Sequence, residues 1–207
     1  MLGPLLFATY YCSKNMSTYI PLGKNPTSPE ERKKLIGRRA DMEDYLNNLE
    51  LTHVQRRVVD FLISQKGYAR EDIEANREFT VEMQDTSFKA KADIALKVDG
   101  VTFMIFTCVM NSMESWERHS LAFCRVVESC QIPYAAVTDG ETVRMLDVVK
   151  GGAVPAALDS IPSKQAALRI IKETSLCPYS EERREKEKRI LYAFDAIKCS
   201  ANSSGSE

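Results

Sequence analysis

Asp99-Gly100 lies between two runs of strand-forming residues, and this dipeptide constrains the fold more than any other feature of the chain. The upstream run, Lys89 to Val98, alternates in polarity. Ala90, Ala92, Ile94, Leu96 and Val98 are predicted to face one way, and Lys89, Lys91, Asp93, Ala95 and Lys97 the other. The downstream run, Val101 to Met110, is apolar at alternate and intervening positions alike, the pattern of a central strand covered on both faces. A two-residue Asp-Gly turn readily takes the positive φ values that a tight hairpin requires. An antiparallel hairpin with one buried strand is therefore the seed of the fold.

Helices are predicted on either side of it. Ser28-Pro29-Glu30-Glu31 combines a serine cap, a proline at the first helical position and a glutamate three residues after the cap. The helix that follows runs to Leu49, with Leu35, Ile36, Met42, Tyr45, Leu46 and Leu49 as its apolar stripe. Thr52-His53-Val54-Gln55 repeats the capping pattern and opens a second helix. Val54, Val58, Phe61 and Leu62 form its buried face, and Gly67 ends it. Glu78 to Met83 alternates as a strand, Ser115 to Cys130 reads as a helix, and Ile132 to Thr138 reads as a strand. Asp139-Gly140 turns that strand into Thr142 to Val149. Gly151-Gly152 and Pro155, Pro162 and Pro178 mark loops around a helix near 163–173. A last helix starts at Ser180, solvated over Glu181 to Arg189 with Glu182–Lys186 and Glu185–Arg189 pairs, then apolar at Ile190, Leu191, Phe194 and Ile197. The order is α-α-β-β-β-α-β-β-α-α: an α/β class fold, a mixed sheet flanked by helices. Four segments follow: an N-terminal arm and helix over 1–50, a core over 51–150, a helical extension over 151–199, and a polar, disordered tail over 200–207.

The formal net charge of −1 gives no global basic field to attract nucleic acid, so any contact with DNA must come from a local patch. The six cysteines (12, 108, 124, 130, 177, 199) include no CxxC pair and only two histidines are present, which argues against a structural zinc site. Cytoplasmic thiols are the expected state, with Cys108, Cys124 and Cys130 as small core residues. Met1 to Tyr11 is apolar but lacks a basic flank and a cleavage site, and it is shorter than the ~20 residues of a membrane span. It reads as an arm or strand packed on the body, with anchoring as the lesser alternative and no membrane partner implied.

One constellation carries chemistry. A strand bearing Asp93, a tight hairpin and a buried strand is the layout of the PD-(D/E)xK nucleases, and the chain resembles that superfamily. From about Thr52 to Asp147 it is similar to the N-terminal nuclease-like domain of type I restriction enzyme R subunits. The resemblance rests on Val54 to Ile63, Gly67-Tyr68, Asp72-Ile73-Glu74, Lys91-Ala92-Asp93-Ile94, the hairpin with its apolar strand, and Ile132 to Gly140. It implies a restriction-endonuclease-like fold with extra N- and C-terminal helices. It also implies Mg²⁺-assisted phosphodiester hydrolysis, in which carboxylates from two strands hold the ion and a lysine stands beside the attacking water.

Carried onto this chain, Asp93 is the first metal carboxylate, with Glu78 as a second, vestigial acidic candidate. Thr107 stands where the second acid belongs and Val109 where the lysine belongs. Thr52-His53 replaces an acidic helix start, and Leu121 to Arg125 offers neither Gln nor Tyr. The resemblance thus implies a degenerate site and a binding or interaction module in a DNA-related process, with DNA, a protein partner or a second copy as partner. The alternative is a divergent Mg²⁺-dependent endonuclease rebuilt from Asp93, Glu117 or Glu128, and Lys91. Arg56, Arg57, Lys89, Lys91, Arg118 and Arg125 are the candidate nucleic-acid contacts, each also explicable as ordinary surface charge. His53, His119 and Cys108 lack the neighbours of a nucleophilic site.

Overall fold

A computed structural model describes residues 28–47, 49, 51–110, 113–174 and 177–203. The chain divides into two compact units, Met1–Ala40 and Asp41–Glu207. In the first, the described residues form the start of α1 (Pro29–Asn47), where the Ser28 Oγ accepts the Glu31 N–H at 3.1 Å as the capping pattern predicts. Ile36 on this helix is exposed, so the apolar stripe does not hold there. The apolar arm at 1–11 lies outside the described residues.

The second unit is a six-stranded mixed sheet with helices on both faces. In chain order it contains the end of α1, α2 (His53–Lys66), β1 (Ile73–Glu82), β2 (Ser87–Val98), β3 (Val101–Cys108), α3 (Met113–Val126) and β4 (Tyr134–Thr138). These are followed by β5 (Thr142–Asp147), β6 (Ala153–Ala157), α4 (Lys164–Glu173) and α5 (Glu181–Ser203). Strands lie in the order β1-β2-β3-β4-β5-β6. All neighbours are antiparallel except β3 and β4, which are parallel and joined by α3. The hairpin forms as predicted, with Asp99 at φ 53 and Gly100 at φ 77 closing Val98 against Val101.

β3 is buried from Thr102 to Thr107 on both faces. Each large apolar side chain so enclosed contributes about 1.5–3 kcal/mol. This makes the strand the least displaceable element of the sheet. One face packs on α3 and α5 through Ile105, Phe123, Cys124, Ala135 and Leu191. The other packs on α2 and α4 through Phe103, Phe106, Val58, Leu62 and Ala167, and Leu46 at the end of α1 joins this core.

The alternation predicted for 89–98 breaks in the middle. Ala90 and Ala92 belong to the core beneath α3, whereas Ile94, Leu96 and Val98 belong to the opposite core. The paired strand β1 divides the same way, Phe79 and Val81 on one side and Ile73 on the other. The change of face falls between the pairs Arg77↔Ala92 and Ala75↔Ile94, where Asn76 takes a left-handed φ of 56. One residue out of the extended region reverses the pleat and bends the ribbon.

Other expectations need correction. β1 begins at Ile73 rather than Glu78. The glycine- and proline-rich stretch after residue 150 contains β6, which pairs with β5 and sets Pro155 opposite Arg144. β6 is a sheet edge, where a missing N–H leaves no ladder bond unmade, so proline does not exclude a strand there. Helix α5 continues through Ser203, so the first part of the tail expected to be disordered is helical. Glu187, read as solvated, is buried, and Glu185 pairs with Lys188. Cys124 is fully buried, whereas Cys108 and Cys130 are only partly so.

Candidate functional site

The site is assembled at the N-terminus of α2. Thr52 caps this helix, its Oγ1 accepting the Gln55 N–H at 3.3 Å while Gln55 Oε1 accepts the Thr52 N–H at 2.9 Å. The capping box pins the Gln55 amide, leaving its Nε2 pointing into the sheet. From there Nε2 donates to Asn76 Oδ1 at 3.2 Å and to the Asp93 carbonyl at 3.1 Å. Gln55 is 3 % exposed, so these bonds lie in a largely dry environment where each is hard to replace with water. The helix start thus holds the two residues at which the β1–β2 ribbon changes face.

Across the ribbon, the β2–β3 ladder ends at the pair Ile94↔Phe106, and Asp93 and Thr107 are the next residues of the two strands beyond it. This is the relation that the resemblance requires of the two metal acids. The Asp93 Oδ2 accepts the backbone N–H of Cys108 at 2.7 Å. The Thr107 hydroxyl is 2.8 Å from that of Ser120 on α3, and both residues are buried. Val109, just past the strand end, is packed in the core under α3, and its N–H donates to the Thr138 carbonyl at 2.9 Å. Beyond it the Asp139 carboxylate closes the β4–β5 turn, accepting from Glu141 N at 2.8 Å, Thr142 N at 2.7 Å and the Thr142 hydroxyl at 3.1 Å. Burial raises the pKa of this group, but these donors outweigh it and hold the carboxyl below its ordinary value.

The other sequence candidates are dispersed. Glu78 lies opposite Lys91 in the register and pairs with Lys89 at 2.8 Å, on the exposed surface. The Lys89 hydrogen bond and charge lower the Glu78 pKa, and Glu78 raises that of Lys89 in return. Arg57 reaches Glu141 at 3.0 Å. Arg118 and Arg125 point to α5, where the buried Glu187 carboxylate receives them at 2.6 and 2.9 Å. Arg56 is half-buried on α2, and Lys91 is exposed. Of the six proposed nucleic-acid contacts, Arg57, Lys89, Arg118 and Arg125 are thus each paired with an acid. Of the acids considered for a rebuilt site, Glu117 is bound by Arg144, and Glu128 by Arg77 at 3.5 Å and by the Thr102 hydroxyl at 2.7 Å. His53 opens α2 on the surface, and His119 is buried among Trp116, Phe123 and Phe194. Gln55, Asn76 and Ser120 were not singled out from the sequence. The capping box marked Gln55 as a helix residue, but nothing local marks its second role.

Magnesium demands near-octahedral oxygen ligands and usually one or two carboxylates. Asp93 supplies one carboxylate, with an oxygen already committed to Cys108, and Thr107 supplies a neutral hydroxyl engaged by Ser120. Among the described residues no group of three His, Cys, Asp or Glu side chains could hold a metal ion. This donor set does not fit Mg²⁺.

The mixed sheet, with a crossover helix between its parallel pair and helices on both faces, is a restriction-endonuclease-like fold. Residues 52–162 match the family model described as type I restriction enzyme R protein N terminus (HSDR_N), and the chain belongs to this family. No curated protein and no solved structure matches the chain. No described helix is long and apolar enough to cross a membrane.

Proposed function

We propose that this protein is a nuclease-fold domain without hydrolytic turnover, acting in the cytoplasm as a binding or interaction module in a DNA-related process. The observation that supports the reading is the buried Thr107 hydroxyl, 2.8 Å from that of Ser120, at the position where a second acid would stand beside Asp93. A single carboxylate, without a second charge or an ammonium group beside it, has little means to bind a divalent ion or stabilise charge on phosphate. Family membership supports the DNA-related setting, since restriction enzymes act on DNA. The pairing of Arg57, Lys89, Arg118 and Arg125 with acids favours contact with a protein over direct grip on DNA. Each such cation would have to leave an existing partner to neutralise a phosphate. The alternative, an endonuclease with migrated acid and lysine, finds its acids held by Arg144 and Arg77.

Incubation with single-stranded, duplex and branched DNA in Mg²⁺ or Mn²⁺ tests the proposal. The expected result is intact DNA, with at most weak retention that disappears as salt rises. Cleavage by the wild type that is lost in Asp93→Ala would overturn it.

A further inference from the structure

Outside the nuclease-like site, the backbone of the C-terminal extension meets the chain just after α3 beside two cysteines, Cys130 and Cys177. The backbone N–H of Gln131 donates to the Cys177 carbonyl at 3.3 Å, and the Gln131 side-chain amide donates to the same oxygen at 3.4 Å. Gln131 follows Cys130 directly, so standard backbone dimensions leave the Cα atoms of Cys130 and Cys177 on the order of 5–8 Å apart. That range overlaps the roughly 4.4–6.8 Å across which a disulfide closes. Both residues are thiols here, Cys177 exposed and Cys130 partly buried. The segment carrying Cys130 is also held from a second side. Arg184 of α5 donates to the carbonyls of Val126, Glu128 and Ser129 at 2.9, 2.8 and 3.3 Å, capping the end of α3.

We infer that Cys130 and Cys177 form a redox-sensitive latch, a reversible disulfide that fastens the end of α3 to the segment entering α5. The oxidant is a peroxide. The Cys177 thiolate attacks hydrogen peroxide, the O–O bond breaks, and a sulfenic acid and one water form. The Cys130 sulfur then displaces the hydroxyl as a second water, giving one S–S bond. In total two thiols lose two hydrogens and the peroxide accepts two electrons. Cys124 takes no part, being fully buried with its thiol pKa pushed far up by that burial. Closing the loop removes freedom from the unfolded chain, so the bridge holds α5 on α3 more firmly. Reversible disulfides of this kind are those expected in a reducing compartment.

The test treats the full chain at low micromolar concentration with stoichiometric hydrogen peroxide, blocks remaining thiols by alkylation, and maps the peptides by mass spectrometry. A Cys130–Cys177 linked peptide is expected, with two fewer titratable thiols per chain and a melting temperature raised by roughly 5–15 °C. Dithiothreitol should reverse both changes, and Cys130→Ser or Cys177→Ser should each abolish them. The latch is overturned if Cys130 and Cys177 remain separately alkylated, if bridges form only between chains or other cysteines, or if the bridge leaves the melting temperature unchanged.

Discussion

Gln55 shows how much a single side chain can organise. One end of its amide completes a helix cap and the other holds Asn76 and the carbonyl of Asp93. Gln55→Ala leaves those buried groups without partners and is expected to cost about 1–3 kcal/mol in urea unfolding. Gln55→Glu keeps the cap acceptor but loses the donor, so it should recover only part of that loss. Asp139 gives a pH-dependent counterpart. Its folded-state pKa is depressed, so its contribution to stability is present above the ordinary value of 3.8 and is lost as pH falls through the lower folded value. The stability difference between wild type and Asp139→Asn, measured by denaturant titration at several pH values, should therefore be largest near neutrality and shrink in acid.

Among elements, α5 departs most from what its sequence suggests. Glu181 to Arg189 alternates in sign as a solvated helix does, yet Glu187 is 4 % exposed and faces two arginines of α3. Helical periodicity locates a buried stripe only when that stripe is apolar, and here part of it is charged. Removing the carboxylate in Glu187→Ala leaves Arg125 largely buried and uncompensated, while Arg118, being partly exposed, recovers water. A loss of about 2–3 kcal/mol is expected by chemical denaturation, with Glu187→Gln milder because it still accepts hydrogen bonds. The hairpin and β3 were readable because Asp99-Gly100 and a doubly apolar run are local signals. β6 was not, because an edge strand needs neither alternation nor every N–H. The face change near Asn76 was also hidden, since it coincides with a positive φ on the partner strand that no local pattern announces.

At the scale of the whole molecule, sequence order and spacing were sufficient to identify the fold, and the family match over 52–162 agrees with it. The frame of the site was less legible. Asp93 lies five residues before Val98 and Thr107 six after Val101, so counting from the turn sets Asp93 against Phe106. Only the register shift between Leu96 and Lys97, which no local signal announces, moves it toward Thr107. What could not be read was which charges find one another across the sheet. Arg118 and Arg125 look like members of a basic face until α5 supplies Glu187, and Glu117 looks available until β5 supplies Arg144. The central claim is that the site keeps Asp93 but has lost the second acid and the ammonium group that metal-assisted hydrolysis requires. Calorimetric titration with Mn²⁺ of the wild type beside Thr107→Glu/Val109→Lys, each checked for native circular dichroism, tests it most directly. The account predicts no measurable binding by the wild type and saturable binding by the folded double variant that Asp93→Ala removes. Saturable binding by the wild type, lost in Asp93→Ala, would contradict it.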